Sequence, residues 1–141
     1  TAPTTEHTFK PYKAKKNEEY MSEGMLSHFT EILEAWKMEL MSEVDRTVDH
    51  MKDEAANFPD PADRATQEEE FSLELRTRDR QRKLVSKIDA ALRRIEDGEF
   101  GYCSVTGEPI SLKRLDARPI ATMSLEAQEK HERREKVHRD D

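Results

Sequence analysis

The stretch Asn57-Phe58-Pro59-Asp60-Pro61-Ala62-Asp63-Arg64-Ala65 separates two long, highly charged segments of helix-forming composition. Pro59 and Pro61 lack the backbone N–H that an interior helical turn requires, and a residue that precedes proline is disfavoured in the α conformation. We therefore expect one helix to end near Phe58 and a second to begin near Asp60 or Pro61. Two helices joined by so tight a turn form a hairpin that carries two aspartates at its tip.

The composition favours narrow helical packing over a thick globular core. Hydrophobic residues make up 34% of the 141 residues and charged residues 39%, whereas globular domains average roughly 45–50% and 25%. The net charge of −7 argues against general nucleic-acid binding, which needs a basic surface. No apolar run approaches the roughly 20 residues that cross a membrane, and no signal peptide is recognisable. With the single cysteine, Cys103, these features predict a cytoplasmic protein.

Changes in composition along the chain predict a mostly α protein with four regions. Residues 1–18 form a polar arm that is either disordered or packed on or near the globular part. Residues 19–97 form a long antiparallel coiled-coil hairpin with its tip at 57–65. Residues 98–123, which contain several glycines and prolines, form a small globular knob, and residues 124–141 form a C-terminal helix that Ser124 is suited to cap.

Hydrophobic spacing predicts how the two arms of the hairpin pair. The first arm, from about Glu19 to Asn57, has apolar residues at alternating intervals of three and four, as in a coiled-coil seam: Leu26, Phe29, Leu33, Trp36 and Leu40. The second arm, from about Pro61 to Glu96, has the seam Leu84, Ile88, Ala91 and Ile95. About 35 residues per arm reach roughly 50 Å. Few large apolar residues lie near the tip, so we expect that half to be less well packed.

Asp60 and Asp63 admit two interpretations. Asp60 precedes Pro61 and is therefore a typical N-cap, and Asp63 then occupies the third helical position, where an acid completes a capping box. Alternatively, the two carboxylates meet a metal ion or a basic loop in the cavity of a partner. Both interpretations are compatible, because a capped turn presents its side chains rigidly.

Several segments resemble the DksA family of bacterial transcription factors, over roughly residue 19 to the end. They are Glu34-Ala35-Trp36, residues 43–48, residues 58–76, Phe100-Gly101-Tyr102-Cys103 and residues 114–119. The resemblance implies a monomeric regulator that binds RNA polymerase, not DNA, by inserting its coiled coil into the secondary channel. Such a factor destabilises open promoter complexes together with the alarmone ppGpp in the stringent response. Ribosomal RNA promoters are then repressed and some amino-acid promoters activated.

The resemblance also implies which residues act. The critical tip residues of the family correspond to Asp60, Asp63 and Ala65, and the arginine that faces the polymerase rim corresponds to Arg80. The ppGpp-binding residues correspond to Leu84, Lys87 and Arg118. A further basic residue of the family is replaced by Gln128 here, so the resemblance implies a weaker alarmone response.

The knob departs from the family at its metal site. Family members typically carry two CxxC pairs that bind zinc, whereas the corresponding positions here are Cys103, Thr106, Ser124 and Ala127. One thiol cannot supply a tetrahedral site with four ligands. We therefore expect no cofactor and a degenerate zinc-finger-like knob, similar to the cysteine-poor members of the family. We interpret Cys103 as a small buried side chain rather than a redox sensor.

Two other functions remain open from the sequence. A transcript-cleavage factor of the Gre type also inserts a coiled coil with an acidic tip, and a structural coiled-coil adaptor would use its aspartates only as caps. The sequence has no Ser/His/Asp or Cys/His arrangement and no glycine-rich phosphate-binding loop. We therefore expect a protein that is not an enzyme.

Overall fold

The computed structural model describes residues 9–56 and 60–140. These residues form four helices: α1 (Glu23–Ala55), α2 (Pro61–Asp97), α3 (Leu112–Ala117) and α4 (Leu125–Asp140). Within the described residues, β structure is limited to one isolated antiparallel bridge between Tyr102 and Pro109. The predicted mostly α fold is thus confirmed. None of the described helices is long and apolar enough to cross a membrane.

Helices α1 and α2 pack as the predicted hairpin. Polar contacts of 2.7–2.9 Å join them, three between side chains and one from the Gln67 side chain to the backbone oxygen of Glu54. The residue numbers on α2 fall as those on α1 rise: Lys37–Asp89, Glu43–Gln81, His50–Glu74 and Glu54–Gln67. This order defines an antiparallel pair.

The ends of the two long helices differ slightly from the sequence prediction. Helix α1 begins at Glu23 instead of about Glu19 because Met21 has a φ of 54°, which lies outside the right-handed helical region. Helix α2 ends at Asp97, and Gly98 follows with a φ of 75°, the left-handed conformation predicted there. The turn residues Asn57, Phe58 and Pro59 lie outside the described part of the chain.

The segment Glu34–Ala90 is one of two compact units. Its apolar core contains Trp36, Leu40, Val44 and Ile88. The seam becomes polar toward the tip: the predicted Leu84 is only half-buried, and Gln81 is buried one turn earlier, where its amide donates to Glu43 Oε2 at 2.7 Å. Buried atoms of Glu74 and Arg78 have no hydrogen-bond partner among the described residues. The polar seam agrees with the weaker packing predicted for this half.

The second unit comprises Thr1–Leu33 and Ala91–Asp141. Its core brings together side chains from both arms and from the knob: Met25, Phe29, Leu33, Ala91, Phe100, Cys103, Ile110, Leu115 and Ala121. The rings of Phe29 and Phe100 lie 5.4 Å apart. Met25 is buried where the spacing predicted Leu26, which is half-buried.

Gly101 allows the first arm to approach the knob closely within this unit. Its φ is 90°, and a Cβ atom there would lie 2.8 Å from Met21 Cε and 3.0 Å from the Tyr20 hydroxyl. The Tyr20 hydroxyl donates to Gly101 O at 2.7 Å and also contacts Ile110 O. Burial raises the pKa of Tyr20 to about 12. Only glycine combines this backbone conformation with the space required.

The described part of the N-terminal arm is held by hydrogen bonds. The Tyr12 N–H donates to Asp116 Oδ1 at 3.2 Å, and the Tyr12 hydroxyl donates to Glu18 Oε2 at 2.6 Å. Glu18 also accepts from the Lys15 N–H at 2.9 Å and from the Ser22 hydroxyl. The carboxylate of Glu18 therefore ties the arm to the segment that leads into α1.

We predict that Glu18→Gln lowers the melting temperature at pH 7. Hydrogen bonds from Lys15, Ser22 and Tyr12 lower the pKa of Glu18 to about 2, from an ordinary value of 4.5. Because the folded pKa is depressed, the stabilisation is complete above about pH 4.5 and is lost as the pH falls toward 2. The difference between the melting curves of the two proteins should therefore narrow below pH 4.5. Glu19→Gln, at an exposed neighbour, is the control; a difference that does not change with pH would contradict this role of Glu18.

Candidate functional site

Asp60 caps α2 at the hairpin tip. Its Oδ1 accepts the Asp63 N–H at 3.0 Å, and its carbonyl oxygen accepts the Arg64 N–H at 2.8 Å. Pro61 occupies the first helical position, where its missing N–H costs nothing. The N-cap interpretation of Asp60 is thus confirmed.

The carboxylate of Asp63 is not used by this cap. Asp63 contributes its backbone N–H, and its exposed side chain has no hydrogen bond or salt bridge to any other described residue. The reciprocal half of the predicted capping box is therefore missing within this part of the chain. Ala65 is likewise exposed one turn into the helix. The tip presents an accessible carboxylate on a capped helix end, where a metal ion or a basic group can reach it.

Arg80, Leu84 and Lys87 lie on one side of α2 because they recur at spacings of four and three residues. Arg80 and Lys87 are exposed, and Leu84 is half-buried. The helix therefore holds one cation on each side of an apolar side chain, an arrangement suited to an anionic partner.

Arg118 and Gln128 belong to the other compact unit. Arg118 is exposed and ends α3, where its N–H donates to Arg114 O at 2.8 Å. Gln128 Nε2 donates to Glu132 Oε1 at 3.0 Å, one turn further along α4. The amide of Gln128 is thus already engaged with a carboxylate, which is a poor setting for a phosphate contact.

A tight turn contains Cys103 and Thr106, the first two of the four predicted degenerate zinc positions. Residues 103–107, which we call the knuckle, are closed by the Gly107 N–H donating to Cys103 O at 2.9 Å, with a φ of 74° at Gly107. The Ser104 N–H donates to Thr122 O at 2.8 Å, which holds the knuckle beside the start of α4. There Ser124 accepts the Ala127 N–H at 3.2 Å, as the predicted cap of α4.

The thiol of Cys103 lies at the centre of the knuckle. Cys103 is 3% exposed, so its predicted burial is confirmed. Burial alone raises the pKa of the thiol, but hydrogen bonds from the Thr106 hydroxyl and from the N–H groups of Ser124, Thr106 and Val105 lower this pKa to about 6. The sulfur atom therefore accepts several hydrogen bonds that join the knuckle to the N-terminus of α4.

Sequence reasoning missed the polar contacts that hold the knob. Ser111 caps α3 by accepting the Arg114 N–H at 3.3 Å, and Arg114 Nε donates to Met123 O at 2.8 Å. Arg94 Nη2 donates to Tyr102 O at 2.6 Å. The serine before a short amphipathic segment was the available signal for α3; the two arginine contacts depend on tertiary structure and had no sequence signal.

The helical hairpin and the knob each match a family model. A model described as DnaK suppressor protein DksA, N-terminal domain, matches residues 25–95. The chain belongs to the DksA family. The second model, prokaryotic dksA/traR C4-type zinc finger, matches residues 98–133. The resemblance drawn from the tip and knob sequences is thus confirmed.

Similar proteins cover most of the chain. The RNA polymerase-binding transcription factor DksA of Caulobacter vibrioides is 59% identical over 130 residues, 92% of either chain. The Salmonella typhimurium protein of the same name is 60% identical over 126 residues, which is 89% of this chain and 83% of that protein. The structure of transcription factor DksA2 from Pseudomonas aeruginosa aligns with a TM-score of 0.78 at 38% identity, covering 85% of this chain and 94% of that one. DksA proteins are transcription factors, not enzymes.

The residues of this knob do not fit the C4-type zinc site that the family model implies. Its positions supply one thiol, from Cys103, together with two hydroxyl groups and an alanine methyl group. Within residues 9–56 and 60–140, no three His, Cys, Asp or Glu side chains are placed to hold a metal ion. The Cys103 sulfur is instead surrounded by N–H and O–H donors, a setting that suits a hydrogen-bonded thiol or thiolate.

Proposed function

We propose that this chain is a transcription regulator that binds RNA polymerase through its secondary channel and performs no chemistry itself. The RNA polymerase-binding relatives at 59–60% identity support the choice of partner. The observation that carries the proposal is the accessible Asp63 carboxylate on a helix end that Asp60 caps. A capped helix holds this group in a fixed direction without neutralising it.

The hairpin delivers the tip carboxylates to the catalytic centre of the polymerase, which holds Mg²⁺. Hard cations prefer carboxylate oxygen ligands, so Asp60 and Asp63 perturb the groups that stabilise an open promoter complex. Ala65, an exposed residue in the same first turns of α2, is a small side chain that leaves room for the partner. The regulator then shortens the lifetime of open complexes, which represses intrinsically unstable ribosomal RNA promoters and allows activation of some amino-acid promoters.

The exposed side of α2 supplies the contacts behind the tip. Arg80 faces the rim of the channel, and Leu84, Lys87 and Arg118 contribute to the ppGpp site at the polymerase interface. The exposed cations at three of these positions suit acidic and phosphate groups. The chain acts as a monomer in the cytoplasm and has no sequence-specific contact with DNA.

Two measurements on purified polymerase test the proposal together. We expect the chain to bind core polymerase and to shorten the lifetime of open complexes at a ribosomal RNA promoter, more strongly with ppGpp. Short RNA released from a stalled elongation complex would support a Gre-type cleavage factor instead. Failure to co-migrate with core polymerase would support a structural adaptor.

We predict that Gln128→Lys strengthens the response to ppGpp. A lysine places a cation where this chain has an amide bound to Glu132, and hydrogen bonds to charged groups contribute roughly 1.5–3 kcal/mol. The ppGpp concentration for half-maximal effect on open-complex lifetime should fall about tenfold. Gln128→Met removes the amide without adding charge and should leave that concentration near the wild-type value; an equal gain in both variants would contradict the electrostatic explanation.

We also propose that the knob folds without zinc, because hydrogen bonds to Cys103 join the segments that a metal joins in a C4-type finger. Such a factor keeps working under zinc shortage or oxidative stress, when metal-bound thiolates are lost. The proposal is supported by the burial of Cys103 and by its donors on the knuckle and on Ser124.

A further inference from the structure

The seam of α2 near the tip is built mainly from polar side chains. Among residues 60–83, the buried and half-buried side chains recur at alternating intervals of four and three, as in a coiled-coil seam: Gln67, Phe71, Glu74, Arg78 and Gln81. Four of these five are polar or charged. The apolar Leu73 and Leu75 lie outside the seam and are 56% and 41% exposed. Hydrophobic burial therefore does not explain which face α2 turns toward α1 here.

Three polar contacts between the two arms of the hairpin engage this seam, and we call them the polar ladder. They join Gln81 Nε2 to Glu43 Oε2, Gln67 Nε2 to Glu54 O, and Glu74 Oε1 to His50 Nδ1, at 2.7, 2.7 and 2.9 Å. No apolar side chain of residues 45–56 and 60–87 is fully buried. The ladder thus crosses the part of the hairpin that lacks a buried apolar core.

A neighbouring alignment of α2 would bury more apolar surface. Positions 71, 75, 78 and 82 also have seam spacing, so a turn of roughly 100° would bring Leu75 inward in place of Glu74. In the observed alignment, Glu74 Oε2, Arg78 Nε and Gln81 Oε1 are buried without a hydrogen-bond partner among the described residues. Burying leucine is favourable, whereas burying an unpaired polar atom is costly. The contacts of the polar ladder are what favour the observed alignment.

We infer that the polar ladder sets the rotational alignment of α2 against α1 near the tip. In some coiled coils, a polar group inside the seam selects one alignment at a cost in stability. The alignment matters for the tip because functional groups must be held within roughly 10–20° of their working direction, and a turned α2 would redirect Asp63 by more than this. The alignment is independent of the proposed function; only its effect on promoters rests on that function.

The variant E43A/H50A tests the inference. It removes both side chains that α1 supplies to the ladder, which leaves Gln81 without its acceptor and Glu74 without its imidazole. Alanine has the highest helix propensity, so α1 should remain helical, as circular dichroism can check. The unpaired seam groups should then turn toward solvent.

The measurement is the solvent access of individual leucine methyl groups, read by NMR of the full chain with a soluble paramagnetic relaxation agent. In E43A/H50A, the relaxation enhancement at Leu75 should fall from its wild-type level toward that of the buried Leu40. Leu73, on the opposite side of α2, should stay as accessible as in the wild type. If the proposed function holds, the concentration needed to shorten open-complex lifetimes should rise about tenfold.

Two controls match this variant. E43Q/H50Q keeps amides that can pair with Gln81 and Glu74, so the access of Leu75 should equal that in the wild type. K37A removes the other described ion pair between the arms, with Asp89, where Trp36 and Ile88 are buried beside it. Apolar packing fixes the alignment there, so K37A should also leave the access of Leu75 unchanged.

The outcomes separate this inference from the proposed function. Unchanged access of Leu75 in E43A/H50A overturns the inference. Equal gains in access at Phe71, Leu73 and Leu75 would show that the ladder holds the arms together without selecting an alignment, and would overturn it as well. A turned α2 with unchanged promoter regulation supports the inference and counts against the proposed tip mechanism.

Discussion

The double variant D60N/D63N is expected to be much less able to shorten open-complex lifetimes: the concentration needed for a given effect should rise more than about tenfold. Its Kd for core polymerase should change by less than about threefold. Asparagine caps helices as well as aspartate does, so α2 keeps its start and the accessible Asp63 side chain keeps its shape. The substitutions remove only the two charges. Both quantities should be measured on the same samples. Kd reports whether the variant still binds polymerase, and the open-complex lifetime at a ribosomal RNA promoter reports whether the bound tip still has its effect.

Two further variants distinguish charge from capping. Asp60→Ala removes the acceptor that binds the Asp63 N–H and should destabilise the start of α2 by about 1 kcal/mol, with a lower melting temperature. Glu69→Gln removes an exposed carboxylate further along α2 and should behave as wild type in both assays. If D60N/D63N regulates the promoter normally, the carboxylates act only as structural groups, and the tip mechanism is wrong.

The hairpin was predictable because its determinants are local. Pro61 following Asp60 fixes where α2 begins, and Gly98 fixes where it ends, since each acts through the backbone of its own turn. Phe29, Leu33, Trp36 and Leu40 recur at coiled-coil spacing, and all four are buried. Such features need no knowledge of distant residues.

The differences arise where tertiary contacts outweigh the local pattern. Gln81 is buried because Glu43 on the opposite arm satisfies its amide, and a hydrophobic pattern cannot reveal a polar pair 38 residues apart. Met25 is buried in the unit that also contains the knob core, although the seam spacing favoured Leu26. The six-residue helix α3 has too few turns for a periodic signal.

The candidate sites show the same division. The cap at the tip was predictable because Asp60 and Asp63 belong to the same helical turn and are neighbours in the sequence. The hydrogen bonds to Cys103 come from the knuckle and from Ser124, 21 positions away on the chain, and they become visible only when the two segments meet. The sequence showed that three zinc ligands are absent, but it did not show what takes their place.

The triple variant T106C/S124C/A127C is expected to bind zinc, whereas the wild type is expected not to bind it. The Cys103 sulfur already receives hydrogen bonds from Thr106 and from the Ser124 N–H, and the Ala127 N–H donates to the Ser124 hydroxyl in the first turn of α4. Structural zinc sites in zinc-finger peptides have apparent binding free energies of roughly 10–16 kcal/mol at pH 7. With zinc in excess, the melting temperature should exceed that of the chelator-treated triple variant by about 10 °C or more.

On the proposal that hydrogen bonds instead of a metal join its knuckle to α4, the wild type should give the same melting curve with and without a strong chelator. The quadruple variant C103S/T106C/S124C/A127C has the same three new thiols but lacks the fourth ligand, and zinc should raise its melting temperature far less. Zinc bound per chain, measured after dialysis, should be one for the triple variant only. A chelator-induced drop in the wild-type melting temperature would contradict the metal-free knob; a triple variant without zinc would show that the four positions do not form a preorganised site.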